Sequence, residues 1–499
     1  MGEVVIDGHH LDLKGAEEVV FGEVPVVVSP EALEQARRAQ EVLSRAVETE
    51  LPIYGVNTGL GKLSTVRIGR EDLRALQRNL VRSHATGVGK PLPAEVVRGL
   101  LLFRANSLLK GYSGVRPEVI GLLLAMLNRG IYPLVPEVGS VGSSGDLVPL
   151  AHVALVLLGE GRATYRGEEL AGREALRRAG LEPVGEFLPK EGLALLNGTA
   201  YMLSLAFVGY VLGWRALRAA FVASALSFQA LRGRTESLDP RIHDVRPHQG
   251  QREVAAIMRE LLAGSGLVNT YKGDVQDPYS LRCLPQILGP VLETLWLVEG
   301  RLRVEMNSAT DNPLVFPDGH ILSGGNFHGE ILAFVAEWLA VAISELAASC
   351  ERRLSLLLSA EDRGLPPFLA KGGGGNSGLM LLQYTAAALV AENKVLSHPA
   401  AVDSVPTSAG KEDHNSFGAT SAWKLLRIAE NAIRAVALEL VACRWAVELA
   451  GAEKLSPATQ PIYEKLREVI PPPGDDMYLG DTIQEVALYV RRGEINHGI

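Results

Sequence analysis

From about residue 200 onward the chain is a succession of long apolar segments with helical periodicity, over roughly 200–231, 250–263, 279–309, 328–358, 378–396 and 416–450. Apolar residues at that period line one face of a helix, and a chain dominated by such segments must bury them against one another. Strands do not alternate with helices and no short repeat is present, which excludes a Rossmann sheet and a TIM barrel. The expected fold class is therefore mainly α, a bundle of long helices. Two segments are apolar on nearly every side. Tyr201–Trp214 runs for fourteen residues before Arg215, short for a membrane span, and Ile331–Cys350 is interrupted by Glu337 and Glu345. Both read as interior helices. Helices this apolar need neighbours all round, which predicts an oligomer.

Residues 1–200 read as a smaller region, mixed but mainly helical, and 201–499 as the long-helix bundle. Near the start, Val26-Val27-Val28 leads into Ser29-Pro30-Glu31. A serine N-cap with proline at the first helical position marks a helix start, and Leu33, Ala36, Val42, Leu43, Ala46 and Val47 then define one face. A hairpin is expected around Ala163–Glu168 and a helix over Arg173–Ala179. A second hairpin is expected at Val315–Ile321, with Asp318-Gly319 at its turn. The run Lys371–Gly378 lacks the Gly-Lys-Ser/Thr ending that sets a lysine on phosphates, so it reads as a loop turning into a helix at Leu379.

Composition closes off several functions. Apolar residues are 47% and charged residues 21% of the chain, enough for a large core and inconsistent with disorder. The net charge is −8, with neither a basic block nor an aromatic-plus-arginine stripe, so no nucleic-acid partner is expected. Cys283, Cys350 and Cys443 are too scattered for a disulfide scaffold or a zinc pattern. No metal is expected, and a reducing cytoplasm fits. Met1–Asp7 has no basic region followed by an apolar core, so neither a signal peptide nor a membrane partner is expected.

The chemistry is concentrated in Gly142-Ser143-Ser144-Gly145-Asp146, within the longer run Gly139–His152. A Ser-Gly pair held in a tight turn can make an electrophile from its own backbone. The Gly145 nitrogen attacks the Ser143 carbonyl carbon when the chain bends sharply, and glycine reaches the conformations this needs. Loss of water from the ring and from the Ser144 hydroxyl leaves an exocyclic methylidene, an electron-poor alkene that no ordinary side chain supplies. Taken alone, the pentapeptide also reads as a flexible loop before a helix.

Other segments carry candidate site residues. Tyr54-Gly55-Val56-Asn57-Thr58-Gly59 reads as an irregular loop, with Tyr54 as either a packed aromatic or a general base. In Gln276-Asp277-Pro278-Tyr279-Ser280-Leu281-Arg282-Cys283, Asp277 can cap and Pro278 can open a helix, with Tyr279 and Arg282 on one face. An arginine near a positive helix end suits a carboxylate, although most arginines form surface ion pairs. Asn197-Gly198 reads alone as a turn.

The run around Ser143–Gly145 resembles the prosthetic-group loop of the aromatic amino acid lyases and aminomutases, and the segments above match that family's other motifs in order, over about residues 5–450. The usual triplet there is Ala-Ser-Gly, and this chain has Ser143-Ser144-Gly145. The resemblance implies a 4-methylidene-imidazol-5-one formed autocatalytically from these three residues, with no external cofactor. It implies Tyr54 as the base that takes the β-proton, Tyr279 as a further catalytic residue, and Asn197 in contact with the ring. Arg282 then binds the substrate carboxylate, Gln276 lines the site, and Phe327, in Gly324-Gly325-Asn326-Phe327-His328, packs on the ring. Met306–Pro313 is a further matching stretch of structural character.

Two positions bear on the substrate. Ser83-His84 and Glu412, in Ala409-Gly410-Lys411-Glu412-Asp413-His414, resemble the histidine-acting members. Those selective for phenylalanine or tyrosine carry other pairs at the first position and glutamine at the second. The implied reaction is loss of ammonia from L-histidine to give trans-urocanate, and the implied assembly is a homotetramer with active sites shared between subunits. Gly410-Lys411, Ala200, Leu284 and Gly329 depart from the family pattern and leave the side-chain pocket less defined. The alternatives are a tyrosine or phenylalanine lyase or aminomutase of the same family, an aspartase- or fumarase-type lyase, and a helical scaffold without enzymatic activity. The second is disfavoured because Gly142-Ser143-Ser144 is followed by Gly145-Asp146-Leu147.

Overall fold

The structure is a computed structural model that describes residues 2–49, 51–372, 374–496 and 498. Met1 of the N-terminal segment and Gly373 of the glycine run lie outside the described residues. Among the described residues there are eighteen α-helices and only short strands. The mainly α class agrees with the periodicity of the sequence.

The long segments become the helices Ala200–Ala230, Gln249–Leu262, Leu284–Met306, Glu330–Leu357, Met380–Leu396 and Gly418–Ala450. Pro30 opens Pro30–Glu48, where the Ser29 hydroxyl accepts the Ala32 amide at 3.1 Å, a cap that contributes about 1 kcal/mol. Both expected hairpins form. Arg162–Tyr165 pairs antiparallel with Glu168–Ala171, and Leu314–Val315 with Ile321–Leu322. Ile131–Pro133 joins the first of these as a third strand. A parallel pair, Val4–Ile6 with Val26–Val28, and an antiparallel pair, Val88–Pro91 with Pro136–Val138, complete the strands.

The chain folds into two compact units. One comprises Met1–Val208, Glu299–Glu337 and Pro399–Trp423, and the other Gly209–Val298, Trp338–His398 and Lys424–Ile499. In the first, the helix Ala94–Leu109 is buried from Val96 to its end and packs on Leu13–Val20 and Pro117–Asn128. The helix Leu73–His84 packs on Leu147–Leu157 and on Glu191–Leu196. That packing brings His84, at one helix end, to the layer of the loop that precedes Leu147.

The second unit encloses an ion pair. Arg353 and Glu439, neither exposed, are joined by two hydrogen bonds of 2.7 and 2.8 Å, and the Ser227 hydroxyl donates to Glu439 Oε1 at 2.7 Å. Removing one partner would strand a buried charge, at a cost of about 3–5 kcal/mol. Cys350 and Cys443 border this pair, and burial raises both thiols well above their ordinary range. They are inert packing groups here, not nucleophiles.

Two segments, Glu191–Ala230 and Glu330–Leu357, are long and apolar enough to cross a membrane. The apolar window of the first is wholly buried in protein, as expected of a core helix. The second differs from the expectation of an interior helix. Ile331, Phe334 and Trp338 are each 40% exposed and Val341 57%, because one chain leaves that face uncovered.

Candidate active site

The turn that carries Ser143 and Ser144 is shaped by two glycines in the left-handed region, Gly142 at φ 70° and Gly145 at φ 71°. At Gly145 the requirement is steric as well as conformational. A Cβ there would fall 2.5–2.7 Å from the backbone of Gly198. Gly198 in turn accepts the Asp146 amide at 2.8 Å, and the Asn197 side-chain amide donates to the Ser144 carbonyl at 2.7 Å. The loop is thus clamped to the Asn197-Gly198 turn through main-chain groups on both sides of Gly145.

Asp146 completes the clamp. Its carboxylate accepts the amides of Tyr201 and Met202, both at 3.0 Å, and the Ser140 hydroxyl at 2.7 Å. It therefore caps the first turn of Ala200–Ala230 from a distant segment and satisfies amides that a helix start leaves open. Burial pushes its carboxyl up to about 7, against the pull of these hydrogen bonds and of the Arg104 charge.

In front of the loop is a cavity of about 1080 Å³, lined in part by Tyr54, His84, Ser143, Ser144, Asn197, Phe327 and Glu412. Six separate stretches of the first unit contribute these side chains. Leu60, Leu63, Val66, Ile68, Leu76, Leu80 and Leu193 supply its apolar walls. Tyr54 stands in a loop anchored by Asn57, which bonds the Ile53 amide and the Leu51 carbonyl, both at 2.8 Å. The Tyr54 hydroxyl accepts the Gly61 amide at 3.1 Å.

Glu412 is the polar centre of the cavity. Its carboxylate accepts the hydroxyls of Ser143 at 2.8 Å, Ser144 at 3.0 Å and Thr407 at 2.8 Å. The Ser143 contact is specific to this chain's triplet, since the alanine usual at that position has no hydroxyl. Burial lowers the pKa of His84, while the Leu80 carbonyl and the Glu412 charge act in the opposite sense. The Ser83 hydroxyl lies 3.1 Å from its Nδ1. At the rim, His328 and His414 stack with centroids 5.8 Å apart, and His328 Nε2 donates to the His414 carbonyl at 3.1 Å.

Gln276, Tyr279 and Arg282 are not among the residues lining this cavity; they belong to the second unit. Tyr279 and Arg282 do share a face. The guanidinium lies 4.6 Å from the Tyr279 ring centroid, and Arg282 Nε donates to the Asp277 carbonyl at 2.9 Å. Tyr279 is 67% exposed, and Gln276 and Arg282 border a separate pocket of about 320 Å³. The expected cap by Asp277 does not form. Its carboxylate instead accepts the Arg234 amide at 2.6 Å and Arg363 Nη1 at 2.9 Å, so both oxygens are engaged by distant groups, one of them a buried guanidinium. The helical stretch is accordingly short, Tyr279–Arg282, and breaks at Cys283 before Leu284–Met306.

Some residues that shape the site carry no sequence signal of that role. Asp146 sits inside the conspicuous run, but nothing local says that its carboxylate reaches Tyr201. Arg104 lies in an apolar helix, and Ser416, whose hydroxyl donates to the Gly142 carbonyl at 3.0 Å, lies more than 270 residues along the chain.

The profile of the family described as aromatic amino acid lyase matches residues 11–468. The chain belongs to the aromatic amino acid lyase family. A histidine ammonia-lyase from Geobacillus thermodenitrificans is 45% identical over 495 residues, covering 99% of this chain and 98% of that protein. One from Stigmatella aurantiaca is 47% identical over 500 residues, covering 99% and 97%. The solved histidine ammonia-lyase of Trypanosoma cruzi superposes with a TM-score of 0.92 at 39% identity, covering 99% of this chain and 94% of that one. A tyrosine aminomutase from Streptomyces globisporus gives 0.94 at 37%, covering 99% and 98%. A histidine ammonia-lyase and a tyrosine aminomutase thus share this backbone, and the backbone alone does not distinguish their activities.

Proposed function

We propose that this chain eliminates ammonia from L-histidine to give trans-urocanate, as a carbon–nitrogen lyase. The observation that carries the reading is the convergence of Glu412 and His84 on the cavity that also holds Ser143, Ser144 and Tyr54. A carboxylate and an imidazole suit a substrate whose side chain is itself an imidazole, with one N–H to donate and one nitrogen to receive.

Ser143, Ser144 and Gly145 are the residues that would form the methylidene-imidazolone, and their surroundings fit it. Gly145 has the left-handed conformation and the close backbone neighbour that a sharp bend needs, and Asn197 holds the Ser144 carbonyl. That group, once formed, supplies an electrophile that eases departure of the amine. The chain's own side chains do the rest. Tyr54 takes the β-proton, Glu412 and His84 hold the imidazole, and Phe327 closes the apolar side. Gln276, Tyr279 and Arg282 would come from a neighbouring copy in a homotetramer, with Arg282 binding the substrate carboxylate bidentately. Light scattering tests the assembly.

Purified protein assayed with histidine, tyrosine and phenylalanine, following ammonia release, tests the substrate. A preference for tyrosine, or a β-amino acid product, would favour the alternative suggested by the backbone likeness to a tyrosine aminomutase.

Two variants probe the binding groups. Glu412→Gln is expected to lower kcat/KM for histidine at least tenfold, about 1.4 kcal/mol of transition-state stabilisation. An amide keeps a hydrogen bond but loses the charge, and apolar walls limit screening by water. Unaltered histidine kinetics in this variant would remove the histidine assignment and leave the lyase assignment standing. Arg282→Lys is expected to raise KM, and Arg282→Ala to raise it further. Lysine retains the charge without the planar fork. An unchanged KM in both would place the carboxylate site elsewhere.

A further inference from the structure

Behind the loop, Arg104, Asp146, Lys190 and Asp311 are fully buried, and the largely buried Glu305 accepts the Thr199 hydroxyl next to Gly198 at 2.6 Å. Lys190 pairs directly with Asp311 and donates to the Ser113 carbonyl at 2.9 Å. Arg104 Nη2 donates to the Ala194 carbonyl, while its Nε and Nη1 are buried with no hydrogen-bond partner among the described residues. Burying a guanidinium is costly, and the charges of Asp311 and Asp146 offset part of that cost.

The position of the guanidinium indicates that use. A Cβ on Gly198 would run into Arg104 Nη1, so the Asn197-Gly198 turn is packed directly on it. The same turn excludes a Cβ from Gly145, accepts the Asp146 amide, and carries the Asn197 amide to the Ser144 carbonyl. Arg104, Gly198 and Gly145 are therefore stacked in sequence. Asp146 and Asp311 are the anions that feel the Arg104 charge.

We infer that Arg104 is a positioning residue for ring closure at Ser143–Gly145. Its buried guanidinium supports the Asn197-Gly198 turn that clamps the loop, and its charge favours the carboxylate form of Asp146. The inference rests on the methylidene-imidazolone reading above. Without Arg104 the Asn197-Gly198 turn loses the group it packs on, and Asp146 loses a charge that opposes its protonation. A protonated carboxyl gives up part of its acceptor capacity toward Tyr201, Met202 and Ser140.

The test is the intact mass of the full-length chain, which reports loss of two waters independently of turnover. Arg104→Met is expected to lower the dehydrated fraction by roughly tenfold, since it removes the group under Gly198 and a charge that favours ionised Asp146. Arg104→Lys keeps the charge and is expected to remain largely dehydrated. Methionine and lysine fill similar space, so a purely space-filling role would not separate Arg104→Met from Arg104→Lys. A folded, fully dehydrated Arg104→Met overturns the inference alone, as does a folded Arg104→Lys that stays unmodified. If Arg104→Met does not fold, absence of dehydration in folded Arg104→Lys overturns it. A wild-type mass without the loss of two waters overturns both the ring and this inference.

Discussion

Ser144→Ala is expected to abolish ammonia release while leaving the fold and assembly in place. The Ser144 hydroxyl is the group whose loss would generate the methylidene, so alanine removes the electrophile at its source. Among the described residues that oxygen donates one hydrogen bond, 3.0 Å to Glu412, which keeps Ser143 and Thr407 as donors. The ties that hold the loop run through main-chain groups, the Ser144 carbonyl to Asn197 and the Asp146 amide to Gly198, and alanine retains them. Circular dichroism and gel filtration should match wild type, and the intact mass should lack the loss of two waters. Full turnover in this variant would falsify the electrophile assignment.

Tyr54→Phe is expected to lower kcat by about 10²–10⁴-fold, the range associated with loss of a positioned acid or base. The aromatic body of the residue stays, so the loop between Ile53 and Gly61 keeps its apolar packing. The lost contact is the one in which the hydroxyl accepts the Gly61 amide at 3.1 Å. The substrate's carboxylate and imidazole are assigned to other residues, so KM should move far less than kcat. Exchange of the β-hydrogen with solvent deuterium separates this role from a packing role, because it should fall together with kcat. A variant that keeps wild-type kcat would transfer the base to another residue, and His84 would be the first to examine.

What the sequence determines here is what depends on near neighbours. Periodicity sets the helix pattern because a helix face is built from residues three and four apart. Ser29-Pro30 starts a helix because cap and first-turn geometry are local. Asp318-Gly319 turns a hairpin because the constraint is on two residues. The motifs around Tyr54, His84, Ser143–Gly145, Asn197, Phe327 and Glu412 are also legible, but through likeness to a family. Their own chemistry in the linear chain does not say that they meet.

Tertiary structure decides the meeting, and it decides every case where distant groups compete. Asp277 has the local signature of a cap, yet its carboxylate is taken by Arg363, 86 residues away. Asp146 shows no local sign of holding Tyr201 and Met202, and Arg104 in its apolar helix shows none of lying beneath Gly198. The physical reason is the same throughout. Electrostatic and hydrogen-bonding energies become large only once water is excluded, and only the packed fold determines which charges are enclosed together.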